Sequence, residues 1–253
     1  MLFTLLVSLF ISLALNALFL LIAYKLKTDK FTDITYALTF IIITVFAFVR
    51  SNHKATFYTG SLLVIIWSIR LGSFLLYRVV KKGKDKRFDG MRENLYRFAK
   101  FWIGQALVSW MLMIPVILSS SENKSFRYFS IIGILIWTVG LIVESTADYQ
   151  KYEFRRTEEN NNKWIDSGLW KFSRHPNYFG EILVWIGIYI YVFPVLTLSY
   201  KLVGLISPLL IFIILRYGSG IPILEKSADQ KWGNNTSYNS YKKKTNLLIP
   251  FPR

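Results

Sequence analysis

The chain contains no cysteine and only two histidines, His53 and His175, among its 253 residues. Disulfides, thiol nucleophiles and cysteine-ligated metals are therefore excluded. Two histidines cannot build a histidine-cluster metal site, and no metal is expected. Acidic residues are scarce too: 15 Asp and Glu stand against 31 Lys and Arg, a net charge of +16. Neither a basic segment ahead of the first apolar run nor a small-residue cleavage site is found, so residues 2–24 read as a retained span and not as a removed signal. What abounds is apolar surface: 53% of the residues are hydrophobic, with 20 Phe, 15 Tyr and 8 Trp. That composition excludes a disordered chain and argues against an ordinary soluble domain.

Apolar runs recur over 2–24, 31–49, 59–80, 101–118, 128–143, 179–198 and 200–217, each about long enough to cross a hydrocarbon core of about 30 Å. With the first residue outside, 24 of the 31 basic residues fall in inside segments and 5 in outside loops, while Arg70 and Arg78 lie within the third run. This bias fits an odd number of spans with a cytoplasmic C-terminus. The expected architecture is an all-α integral membrane protein, a bundle of about seven transmembrane helices forming one domain over 1–253. Residues 218–253 are expected to form a cytoplasmic tail whose apolar end, Leu247-Leu-Ile-Pro-Phe-Pro252, folds back on the bundle. A bacterial-type plasma membrane is the expected location, or the endoplasmic reticulum in a eukaryote. In a soluble protein the positive charge would point to nucleic acid. Here it lies between apolar runs, where it meets anionic head groups, and no nucleic-acid recognition motif accompanies it.

The most informative stretch is Gly168-Leu-Trp-Lys-Phe-Ser-Arg-His-Pro-Asn-Tyr-Phe-Gly-Glu181. Pro176 is suited to the first position of a helix. The free N–H groups of that helix make an anion site, flanked by Arg174 and His175. His175 reads alternatively as an N-cap. Asn177, Tyr178 and Glu181 follow on the first turns. In the third run, Arg70, Phe74, Arg78 and Lys81 share an arc of about 80°. Lys81 and Arg78 can snorkel to head groups, whereas Arg70 lies too deep for that and points to function. Behind the fifth run, offsets of 4 and 11 place Glu144, Asp148 and Arg155 on one helix face. Such carboxylates can hold an amide or ribose hydroxyl, and the arginine a phosphate; a solvated, ion-paired face is the alternative. Asp33 opens the second run as an N-cap or as a site residue. His53 reads as a solvated loop residue.

Three segments together resemble the C-terminal family of steroid 5α-reductases: the 144–155 helix, Gly168–Glu181, and the tail from Leu224-Glu-Lys-Ser-Ala-Asp-Gln-Lys-Trp-Gly233 through Tyr241-Lys-Lys-Lys-Thr-Asn-Leu-Leu-Ile-Pro250. Arg70-Leu-Gly72 with Gly83-Lys-Asp-Lys-Arg87 is similar to bacterial-type members. Arg-His-Pro followed by a spaced Tyr is shared with isoprenylcysteine carboxyl methyltransferases. The resemblance implies NADPH in the cytoplasmic half and a lipophilic enone entering from the bilayer. It implies that Asp148 and Arg155 meet the adenosine and phosphate end, with Asn177 and Tyr178 along the cofactor and Glu181 supporting them. Arg216 and Tyr241 would close the pocket, and Arg70, Arg78 and Lys81 would face the cofactor. Animal 5α-reductases polarise the substrate with a Glu/Tyr pair; here Asp33 and Trp67 take those places. An indole offers no comparably acidic proton, which leaves Tyr36 or a protonated Asp33 as donor. The expected function is NADPH-dependent reduction of a conjugated C=C bond. The alternatives are an S-adenosylmethionine-dependent methyltransferase and a non-catalytic protein on an inherited fold.

Overall fold

The computed structural model describes residues 1–51, 55–82, 88–122 and 128–252, without the side chains of 55–56 and 80–82. His53, the Lys81 side chain and segment 83–87 therefore lie outside the described residues. The helices are α1 (Leu2–Lys25), α2 (Thr32–Val49), α3 (Ala55–Lys82), α4 (Leu95–Ser119), α5 (Tyr128–Arg156), α6 (Pro176–Val192), α7 (Leu198–Gly204), α8 (Ile206–Tyr217), α9 (Ile221–Trp232) and α10 (Thr236–Lys244). Among the described residues no strand forms; Ser173 and Asn246 make an isolated parallel bridge.

Six described segments are long and apolar enough to cross a membrane: Leu2–Lys25, Thr32–Val49, Phe57–Val79, Leu95–Ser119, Tyr128–Arg156 and Leu198–Trp232. The chain is thus an all-α, multi-pass membrane protein. α6 adds 17 residues, at the lower limit for a span. The apolar run 200–217 is broken after Gly204. Pro208 lacks the N–H that would bond to the Gly204 carbonyl, which weakens the helix where α7 gives way to α8. Beyond Tyr217, α9 carries Glu225, Lys226, Asp229 and Lys231 within 12 residues, too much charge for hydrocarbon. α5, with 29 residues, is about 44 Å long, so it outruns a hydrocarbon core and can carry its charged end into water.

Two compact units are formed, Met1–Ser130 with Ile188–Ser207, and Ile131–Gly187 with Pro208–Arg253. In the first, α1 turns its polar residues inward. Thr4, Ser8, Ser12 and Asn16 are buried at four-residue intervals, while Leu6, Phe10, Leu18 and Leu21 are exposed. The inward face is hydrogen-bonded. Ser12 Oγ donates to the Ala106 carbonyl (2.8 Å), and Asn16 Nδ2 to Thr39 Oγ1 (3.2 Å). Gln105 Nε2 donates to Asn16 Oδ1 (3.0 Å) and the Thr32 carbonyl (3.2 Å). Lipid competes with apolar side chains but not with these bonds, so small and polar residues join α1, α2 and α4.

In the second unit α5 and α6 meet backbone to backbone. A Cβ on Gly180 would lie 2.5 Å from the Glu144 nitrogen, and one on Gly187 would lie 2.5 Å from the Trp137 nitrogen. This approach fixes which residues of α5 face the start of α6.

Candidate functional site

The close contact at Gly180 brings the charged end of α5 beside the first turn of α6, which opens at Pro176. Glu144 and Asp148 are both buried there. Asn177 Nδ2 donates to Asp148 Oδ1 at 3.2 Å. The loop before α6 is tied to α5. Gly168 adopts a left-handed φ of 59°, a 3-10 turn follows over Gly168–Lys171, and the Leu169 N–H donates to Gln150 Oε1 (2.9 Å). Trp170 Nε1 donates to the Ala147 carbonyl (3.0 Å), and Lys151 Nζ lies 4.2 Å from the Trp170 ring centre. Glu181 sits half-buried one turn past Asn177. Arg155 lies exposed near the end of α5, two turns beyond Asp148. Arg216 ends α8 half-buried, 4.8 Å from the Tyr217 ring centre. An open cleft of about 400 Å³ runs along Tyr149, Gln150, Glu153, Phe154, Thr157, Ser167 and Gly168; it touches the 144–155 and 168–181 segments, but none of the individual candidate site residues lines it.

The tail is locked onto the same loop, chiefly through Glu225, which the sequence reading had not selected. Arg174 Nη2 and Nε bond to the two Glu225 oxygens at 3.1 and 3.2 Å. Arg174 Nη1 donates to the carbonyls of Lys242 (2.7 Å) and Thr245 (3.0 Å). The guanidinium is thus committed to the tail, and four of its donors are taken up. His175 Nε2 lies 2.8 Å from Glu225 Oε1, and Lys242 Nζ 3.6 Å from Oε2. Ser173 Oγ donates to the Leu248 carbonyl (2.7 Å), the Arg174 N–H to the Asn246 carbonyl (2.9 Å), and Tyr241 Oη to the Trp170 carbonyl (2.8 Å). Trp164, Trp232, Tyr238 and Tyr241 pack together above, with Trp164 and Tyr238 ring centres 5.3 Å apart. The signal in the sequence was the four-residue spacing of Glu225 and Asp229 on α9, matched by Lys242, whose Nζ reaches Asp229 Oδ2 at 2.7 Å.

The His175 ring is buried and stacks on Tyr178, 5.7 Å between centres and 11° from parallel. Burial holds His175 below the usual imidazole value, outweighing the Glu225 hydrogen bond that favours the charged ring; Lys151 and Arg174 act in the same direction as burial. Burial alone would raise Glu225, but hydrogen bonds from His175 and Arg174 bring it down to about 2. Both groups therefore resist protonation more in the folded than in the unfolded chain. Stability is full above the unfolded imidazole value of 6.5 and falls as pH drops below it; Glu225 adds a second loss of the same sign below 4.5. The melting midpoint of detergent-purified protein should fall between about pH 7 and pH 5. His175→Gln keeps a donor for Glu225 but cannot titrate, and should give a flatter profile. Parallel profiles for the two proteins would remove His175 as the cause.

The remaining candidates belong to the first unit. Asp33 does not cap α2, whose N-cap is Phe31. It lies in the first turn, and its Oδ2 accepts from Arg78 Nη2 at 3.2 Å. Tyr36 meets Phe40 edge-on at 4.9 Å and Trp67 at 6.5 Å. Trp67 is fully buried. Arg70 is half-buried, its guanidinium 5.6 Å from the Phe74 ring centre.

Fold and site together define a multi-pass α-helical membrane protein that gathers carboxylate, amide and imidazole groups at the mouth of one helix. The chain belongs to the family described as Protein of unknown function (DUF1295), whose model matches residues 19–245. That range takes in α2 to α10 and the C-terminal end of α1, from Phe19 on. The chain is 23% identical over 159 residues to Uncharacterized protein C594.04c of Schizosaccharomyces pombe; the match covers 50% of this chain and 45% of that protein. The chain thus spans about half the length of this relative. No solved structure matches it.

Proposed function

We propose that this protein is a membrane oxidoreductase that uses NADPH to reduce a conjugated C=C bond in a lipophilic enone, on the pattern of the steroid 5α-reductases. The observation that carries the reading is the Asp148–Asn177 hydrogen bond at 3.2 Å. The resemblance assigns both residues to one cofactor, and they lie 29 positions apart in the chain. The surroundings fit a nicotinamide nucleotide. Buried carboxylates at Glu144 and Asp148 can accept from ribose or amide donors. The His175 imidazole carries a buried nitrogen, Nδ1, with no partner among the described residues. Lys151 and Arg155 supply positive charge for phosphate. Arg174 and Tyr241 act on the tail in this reading, holding it against the loop before α6.

NADPH, when bound, supplies the hydride. The chain's own groups hold it: Asp148 and Asn177 fix its orientation, and the α5–α6 contact keeps that pair in register.

The test is thermal stabilisation of the full chain in detergent. At about 100 times its dissociation constant, NADPH should add about 2.7 kcal/mol of stability. Asp148→Ala should weaken apparent affinity roughly tenfold or more, as expected for a lost hydrogen bond to a charged group. The buried carboxylates at Glu144 and Asp148 also suit the sulfonium cation of S-adenosylmethionine. A shift with S-adenosylmethionine alone would replace the reductase by a methyltransferase, and no shift with either would remove the enzymatic reading.

A further inference from the structure

We infer that Glu225 is a positioning residue: it holds the buried His175 ring in the tautomer that carries its proton on Nε2, so that Nδ1 is presented as a hydrogen-bond acceptor to a donor on the bound ligand. The argument starts from charge. Glu225 has Arg174 on both oxygens at 3.1 and 3.2 Å and Lys242 at 3.6 Å. A carboxylate held on both oxygens by one guanidinium is an acceptor only, with or without the more distant Lys242. The contact between its Oε1 and His175 Nε2, at 2.8 Å, therefore needs the proton on Nε2. In a neutral ring Nδ1 is then left with a lone pair. That nitrogen is enclosed by protein and has no partner among the described residues, and His175 as a whole is 4% exposed.

A buried acceptor without a partner is costly and is retained where something else completes it. Local packing does not explain it. The ring is already fixed by the stack on Tyr178 at one face and by Glu225 at Nε2. His175 immediately precedes α6 and lies two residues before Asn177, which is bonded to Asp148. The ligand class this acceptor takes is one with an amide or hydroxyl donor. Naming it as the nicotinamide cofactor rests on the function proposed above; the tautomer does not.

The charged groups that face the ring are Glu225, Arg174 and Lys151, with Lys242 behind Glu225. The experiment uses the full chain with His53→Gln, which leaves His175 as the single histidine for ¹⁵N labelling. At neutral pH the spectrum should report a protonated Nε2 and a bare Nδ1. Glu225→Gln offers the ring an amide donor instead, and should move the proton to Nδ1 and weaken NADPH binding about tenfold. Glu225→Asp should restore the original tautomer. Lys242→Met removes a charge from Glu225 without touching the ring, and should change neither tautomer nor affinity. A protonated Nδ1 in the otherwise unaltered protein, or an unchanged tautomer in Glu225→Gln, overturns the inference. If Glu225→Gln does not fold, the parent tautomer and Glu225→Asp still decide. NADPH that raises the melting midpoint yet leaves the Nδ1 resonance in place overturns the acceptor role. NADPH that does neither overturns the cofactor reading and leaves the tautomer to be judged by the ligand-free spectra.

Discussion

Gly180→Val should part α5 from α6 and abolish stabilisation by NADPH. The Cβ of any residue at 180 would fall 2.5 Å from the Glu144 nitrogen, 2.7 Å from the Glu144 Cβ and 2.7 Å from the Gly140 carbonyl oxygen. Two of those three atoms are backbone and cannot swing away. Overpacking a core costs about 1–3 kcal/mol where side chains can adjust, and here a whole helix must shift, so the upper end applies. For a chain of this size that lowers the melting midpoint by roughly 10 °C. The expected effect on binding is larger, because the pair assigned to the cofactor in the proposed function has one member on each helix, Asp148 on α5 and Asn177 on α6. Gly104→Ala is the control. Nothing lies within 4 Å of a Cβ there, so this substitution should leave stability within about 1 kcal/mol, with helix propensity in its favour. Circular dichroism melts and NADPH titration of both variants decide the matter. A Gly180→Val protein that melts with the parent and still binds would show that the α5–α6 contact does not govern the site.

The apolar runs and the helix start at Pro176 were legible in the sequence, because both depend on local properties: length, hydrophobicity and the missing proline N–H. The face shared by Glu144 and Asp148 was legible for the same reason, as a matter of helical spacing. The polar face of α1 was written there too. Thr4, Ser8, Ser12 and Asn16 recur every four residues, but a search for apolar spans counts them as blemishes, whereas in lipid they are the contact surface. The break between α7 and α8 had its signal in Pro208. The fate of Arg174 had none. Read locally, it is a cation beside a helix mouth. Its partner is Glu225, 51 positions away, and only the folded tail reveals that the charge is already balanced. Asp33 shows the same limit: N-cap propensity favoured one role, and an arginine on the next helix, 45 positions on, provides another.

Removing Arg92 should cost the first unit more stability than any surface substitution, and removing Asp29 with it should restore most of the loss. Both side chains are 3% exposed, with Nη1 and Oδ1 2.8 Å apart. Arg92 also donates to the Phe88 carbonyl (3.3 Å) and to Asp89. Asp89 is 64% exposed, so solvent screens that second pair and little stability rests on it. The buried pair joins the turn after α1 to the segment before α4. It sits close to the aromatic cluster of Phe88, Phe98 and Trp102, and Thr32 Oγ1 donates to the Asp29 carbonyl (2.8 Å). Arg92→Leu removes from the buried Asp29 carboxylate its partner at 2.8 Å, and breaking a buried pair in this way costs about 3–5 kcal/mol. Asp29→Leu leaves the buried guanidinium, among the described residues, with only the Phe88 carbonyl and the solvent-screened Asp89, and should cost somewhat less. The double substitution exchanges the pair for two apolar side chains and should return to within about 1–2 kcal/mol of the parent, since the desolvation cost disappears together with the attraction. The measurement is a double-mutant cycle on melting midpoints in one detergent, in which the coupling should recover more than half of the summed single losses. Strictly additive losses would show that the two charges do not act as a pair.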